Sequence, residues 1–135
     1  MTILIVDGQG GNIGRQLALR FKEVFPNATL HAVGTNSTAA ANMLKGGADT
    51  AATGENAVIV ACRRADVIVG PVGIAIADSL MGEVTPKMAN AVGGSGCPKV
   101  LIPMNRCDTL IAGISEGSVS HLLADAVEKV KALFS

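Results

Sequence analysis

The chain of 135 residues has no tyrosine and no tryptophan, and only three phenylalanines. Without stacking aromatics it lacks the usual platform for nucleic-acid bases. It also has no surplus of charge: eleven Lys and Arg balance eleven Asp and Glu. With no basic stripe to meet a phosphate backbone, nucleic acid is not an expected partner. Long apolar runs are missing too. None reaches the ~18 residues of a membrane span, and Asp7 and the glycines after it break the first apolar segment before it could act as a secretory signal. Cysteine is scarce. Cys62, Cys97 and Cys107 are odd in number and lack metal-ligand spacing, and His31 and His121 stand far from them. Three reduced thiols, no metal site and a cytoplasmic location are the expectation.

What is present is aliphatic. Apolar residues make up 49% of the chain, mainly Ala, Val, Ile and Leu, which suits a parallel sheet covered on both faces. The length allows one domain over residues 1–135, with no room for a separate substrate domain. The richest stretch is the first: Thr2-Ile3-Leu4-Ile5-Val6 reads as a buried strand. Asp7-Gly8-Gln9-Gly10-Gly11-Asn12-Ile13-Gly14 then forms a turn that opens an amphipathic helix. Gly8, Gly11 and Gly14 give G-x-x-G-x-x-G spacing, with Gly10 as an extra; the commoner G-x-G-x-x-G does not fit. Such a turn lets backbone amides approach an anion, and the helix start adds the positive end of its dipole. Phosphate binding is the chemistry this favours over a purely structural turn.

The remaining pattern alternates strand and helix. A helix is predicted over Gly11–Phe25 and a strand over Thr29–Val33. The turn Gly34-Thr35-Asn36-Ser37 follows, with Ser37 capping a helix over Thr38–Lys45. A short strand within Ala48–Thr53, a helix over Asn56–Arg64 and a strand over Asp66–Gly70 come next, ending in Pro71-Val72-Gly73. Ile74–Met81 reads as a helix, with a buried loop as the alternative. Thr85-Pro86 opens a helix to Val92, and Lys99–Pro103 is a strand. Thr109–Ile114 is a sixth strand, placed antiparallel at an edge because residues 104–108 are too few for a parallel crossover. Ser118 caps a last helix over Val119–Phe134. The fold expected is α/β, a three-layer doubly wound Rossmann-like sandwich whose mostly parallel sheet has an antiparallel edge strand.

This order of elements, with Gly8, Gly11 and Gly14, resembles the nucleotide half of the extended short-chain dehydrogenase-type fold. The resemblance implies that Thr53-Gly54-Glu55 approaches an adenine ring and that Gly70-Pro71-Val72-Gly73 lies beside a ribose. It implies NADP or NAD as cofactor. The neutral turn at Thr35, Asn36 and Ser37 lacks the acidic residue that marks NAD, and Arg15 could assist a 2′-phosphate, so NADP is the better fit. The dehydrogenase chemistry itself is excluded, because its Tyr-x-x-x-Lys pair needs a tyrosine. Over its whole length the sequence is also similar to a small bacterial family of unknown activity. Shared stretches are Asp7–Gly11, Gly34–Ser37, Ala52–Ala57, Gly82–Met88 and Pro103–Cys107.

The candidate ligand-binding residues are therefore Asp7, Gly8, Gly10, Gly11, Asn12, Ile13, Gly14, Thr35, Asn36, Ser37, Glu55, Gly70, Pro71, Gly73, Asn105 and Arg106. Glu83, Arg106 and Cys107 are candidates for catalysis, although a solvated carboxylate and an inert thiol are the commoner cases for Glu83 and Cys107. His31 and His121 are read as structural. No catalytic constellation is visible, so the function expected is a nucleotide-binding sensor or regulatory protein. The alternatives are a small nucleotide-dependent enzyme whose site a second subunit completes, and an assembly subunit without ligand. Gly73–Met81 and the last helix are the candidate contact faces of a homodimer or larger assembly.

Overall fold

Successive residues of a strand point to opposite faces of its sheet, and here both faces are buried. The computed structural model, which describes residues 1–104, 109–114 and 118–134, shows this in β1 (Thr2–Asp7). Ile3 and Ile5 enter one core while Leu4 and Val6 enter the other, and all four are at most 1% exposed. Burial of each such side chain contributes roughly 1.5–3 kcal/mol. The other strands are β2 (Thr29–Gly34), β3 (Thr50–Thr53), β4 (Val67–Pro71) and β5 (Lys99–Ile102). They form one sheet in the order β3-β2-β1-β4-β5, and every pairing is parallel. Ile3 lies between Leu30 of β2 and Val67 of β4.

The helices are α1 (Asn12–Val24), α2 (Ser37–Lys45), α3 (Glu55–Arg64), α4 (Pro86–Gly93) and α5 (Val119–Phe134). Leu17 and Phe21 of α1, Met43 of α2 and Leu123 and Val130 of α5 share a core on one face of the sheet. Val58 and Cys62 of α3 and Met88 and Val92 of α4 share the core on the other. The α/β expectation therefore holds, with three layers. No helix among the described residues is long and apolar enough to cross a membrane. Thr85 caps α4 as its sequence predicts: its hydroxyl accepts from the Met88 amide at 3.1 Å, and Pro86 takes the first helical position.

Three local expectations are corrected. The antiparallel edge strand is absent among the described residues. Residues 111–114 form a turn, closed by the Ile114 amide on the Ile111 carbonyl, with Gly113 at φ +84°. That conformation takes the backbone out of the extended region, and α5 follows. The cap of α2 is Asn36, whose Oδ1 accepts from the Ala39 amide at 2.8 Å, so the helix starts one residue earlier, at Ser37.

The third correction bears on the site. Ile74–Met81 is not a helix: a single 3₁₀ turn over Val72–Ala75 gives way to a loop reaching residue 84. The Ser79 hydroxyl donates back to the Gly73 carbonyl, a local bond that competes with helix formation. The Asp78 amide bonds Val84 O, and the Val84 amide bonds Ser79 O. The loop is thereby closed on itself, with Asp78, Leu80, Met81 and Gly82 all at positive φ.

Candidate functional site

The glycine turn is organised by the carboxylate that precedes it. Asp7, at the end of β1, is 5% exposed. Its Oδ1 accepts from the Gly8 amide at 2.8 Å and its Oδ2 from the Gly14 amide at 2.7 Å. Gly11 stands at φ +72°, its amide donating to Gly8 O, and a Cβ there would come within 2.7 Å of the Ala39 backbone. That close approach of turn and α2 is what requires glycine. Arg15 is the first residue of α1 to bond back into the helix, onto Gly11 O. The amides of Asn12 and Ile13, in the first turn, have no acceptor among the described residues, as helix geometry dictates.

Beside this turn opens a cavity of about 810 Å³. Its wall on the β1 side is Asp7 to Ile13 with Gln16. The opposite wall is Pro71, Val72 and Gly73 at the end of β4, then Ile76 and Asp78 to Met81 from the closed loop. Met104, Thr109 and Val119 complete it beyond β5. The cavity thus lies outside the carboxyl ends of β1 and β4, where strand order reverses, the place where open α/β sheets bind ligands. Ile13, Val72, Ile76, Leu80, Met104 and Val119 give it a largely apolar lining.

Glu83 stands on the β2 side of the turn, outside the cavity lining. Its Oε1 accepts from the Gln9 amide at 2.9 Å, the Thr35 hydroxyl at 2.7 Å and the Asn36 side-chain amide at 2.7 Å. Burial alone would raise the Glu83 pKa, but the bonds from Gln9, Thr35 and Asn36 together outweigh it and hold the group below its ordinary value. Asn36 also donates to Gln9 O at 2.9 Å. The end of β2, the glycine turn and the loop after β4 therefore meet on one carboxylate.

The sequence-predicted residues divide accordingly. Asp7, Gly8, Gly10, Gly11, Asn12, Ile13, Pro71 and Gly73 line the cavity. Gly14 lies behind it, in contact range of Met43, and Gly70 is buried against Val6. Thr35 and Asn36 turn to Glu83, Ser37 is exposed at the start of α2, and Glu55 occupies the first turn of α3; none of the four lines the cavity. Arg15 donates to Asn42 at 3.2 Å. Asn105, Arg106 and Cys107 lie outside the described residues. His31 bonds the Thr50 hydroxyl at 2.6 Å, a link between β2 and β3. The candidate list lacks Gln9, Gln16, Val72, Ile76, Asp78, Ser79, Leu80, Met81, Met104, Thr109 and Val119 of this lining. The one available signal was the Asp78-Ser79 pair interrupting an apolar run ahead of Gly82.

Residues 2–135 match the family described as "Domain of unknown function (DUF3842)". The chain belongs to that family. No curated protein matches it. Among solved structures, a dodecameric FMN-dependent Ubix-like decarboxylase from Escherichia coli O157:H7 aligns over 97% of this chain and 75% of its own, with 20% identity and a TM-score of 0.50. A nucleoside-diphosphate-sugar epimerase from Pseudomonas aeruginosa covers 96% of this chain and 47% of its own, at 13% identity and a TM-score of 0.45. The likeness to the decarboxylase is one of fold, Rossmann-like and α/β. The expectation of NADP or NAD is overturned. That structural neighbour is FMN-dependent, and the cavity stops short of Thr35, Asn36, Ser37 and Glu55, where the adenosine half was expected.

Proposed function

We propose that this DUF3842 chain binds a flavin mononucleotide-type ligand, its phosphate on the glycine turn and its ring system in the apolar crevice between β1 and β4. The observation that carries the reading is the conjunction of the Asn12 and Ile13 amides, which have no acceptor among the described residues, with a cavity of about 810 Å³ at the strand-order reversal. Amides at a helix start favour a phosphate, and the volume falls in the range of small-molecule sites. The FMN dependence of a similarly folded decarboxylase supports the same ligand class.

A sensing role is preferred to catalysis because the two carboxylates flanking the turn are engaged. Asp7 holds Gly8 and Gly14, and Glu83 holds Gln9, Thr35 and Asn36. Neither is poised as a free general base.

Titration of the whole chain with FMN, followed by quenching of flavin fluorescence, tests the reading. Saturable micromolar binding of one flavin per chain is expected. Gly10→Asp sets a negative charge, of the same sign as the phosphate, beside the amides at an exposed position where a Cβ meets nothing within 4 Å. It should weaken binding at least about tenfold while the melting temperature holds. Absence of saturable binding by the wild-type chain overturns the reading.

A further inference from the structure

We propose that Glu83 is the specificity determinant of this site, confining it to mononucleotides by occupying with its own carboxylate the place of a second nucleotide. The inference rests on the flavin-type reading above and deepens it. In doubly wound folds a dinucleotide crosses the switch point, and its adenosine ribose is held by hydrogen bonds at the end of the second strand. Here the two polar side chains at the end of β2, the Thr35 hydroxyl and the Asn36 amide, both turn to Glu83 and donate to its Oε1, each at 2.7 Å. The third donor is the Gln9 amide of the glycine turn, at 2.9 Å, so the carboxylate spans the gap between turn and β2.

The filling is steric as well as polar. A Cβ built on Gly8 would lie 3.2 Å from Glu83 Oε1, 2.5 Å from Thr35 Oγ1 and 2.8 Å from Leu80 Cδ1. Thr35, Leu80 and Glu83 thus crowd the space over Gly8, between the cavity and β2. An adenosine could enter only by breaking three hydrogen bonds to one charged group and lifting the closed loop that carries it. A mononucleotide needs neither, because its phosphate and ring lie on the β1–β4 side. Discrimination of this kind works by a built-in penalty against the larger ligand.

The test compares FMN and FAD on the whole chain, in wild type, Glu83→Ala and Glu83→Gln, with thermal melting run alongside. Wild type should bind FMN at least about 100-fold more tightly than FAD. Glu83→Ala should cut that ratio to about tenfold or less by gaining FAD affinity, with FMN affinity held within about threefold. Glu83→Gln keeps an acceptor oxygen of the same reach and should preserve the discrimination. Equal binding of FMN and FAD by wild type overturns this inference alone, leaving the flavin site standing. An unchanged ratio in a folded Glu83→Ala variant does the same. If Glu83→Ala does not fold, the wild-type ratio and its retention in Glu83→Gln decide. Failure of wild type to bind FMN overturns the inference together with the reading beneath it.

Discussion

Gly14 donates its amide to Asp7 Oδ2 at 2.7 Å, across seven residues, and so ties the end of β1 to the first turn of α1. The same carboxylate takes the Gly8 amide. The turn is held from within by a buried side chain, which fixes its outer rim, Gly10 to Ile13, for contact with something else.

Asp7→Ala is therefore expected to be costly. It leaves two buried amides without an acceptor, each worth about 1–3 kcal/mol. Chemical denaturation should show a loss of about 2–5 kcal/mol. Asp7→Asn, which keeps one acceptor oxygen, should lose less. A loss below about 0.5 kcal/mol for Asp7→Ala would mean that solvent or relaxation satisfies both amides.

Neighbouring glycines should respond very differently. Gly11→Ala forces a side chain onto φ +72° and against the Ala39 backbone, and should cost about 2–4 kcal/mol. Gly10→Ala meets nothing within 4 Å and should stay within about 0.5 kcal/mol. Paired thermal melts check the contrast; similar losses at both positions would contradict the close approach of turn and α2.

Acid should release the Glu83 bridge. Burial opposes its charge, but its hydrogen bonds prevail and hold the folded-state pKa below the ordinary value of 4.5. A carboxylate lowered in the folded state contributes stability above its unfolded pKa and loses it as pH falls through the folded one. Asp49, lowered by its bonds from Lys22 and the Leu30 amide, acts in the same sense. Stability measured below pH 4.5 should fall more steeply in wild type than in Glu83→Gln. Parallel pH profiles would show that the bridge carries no such linkage.

Cys62 should resist alkylation in the native state. Burial against the α3–α4 core pushes its thiol up to about 11, with the neighbouring Cys97 adding to the rise, so the reactive thiolate is scarce at neutral pH. Iodoacetamide labelling read by peptide mass spectrometry should modify Cys62 only when the chain is unfolded. Rapid native labelling would place it at the surface.

The parts of the fold with local causes were legible in the sequence. β1, the glycine turn and α1 follow from an apolar run, glycines at close approaches and an amphipathic period. The start of α4 follows from Thr85-Pro86. The β1 side of the cavity follows from the same glycine turn, whereas Pro71 and Gly73 rest on the resemblance to the dehydrogenase-type fold. The rest of the opposite wall was not legible, because Ile74–Met81 has the composition of a helix. What decides its path is a set of backbone bonds closing Asp78 on Val84, with Leu80 and Met81 in left-handed conformations that no local propensity favours. Glu83 looked like a loop carboxylate because its partners Gln9, Thr35 and Asn36 lie 47–74 residues away. The antiparallel edge strand was inferred from a short connection alone, and the turn at Gly113 removes it.

β1 occupies the centre of the sheet although it is the first strand in the sequence. Ile3 needs Leu30 on one side and Val67 on the other. As the chain leaves the ribosome, β1 can pair with β2 early, but its second edge stays bare until β4 has been made. For that interval a strand with four consecutive apolar residues, Ile3 to Val6, presents unpaired amides and carbonyls, the condition under which nascent chains stick to one another. Emergence of Val67 to Pro71 is thus the step that ends the exposure, and synthesis stalled before it would leave the most aggregation-prone form of this protein.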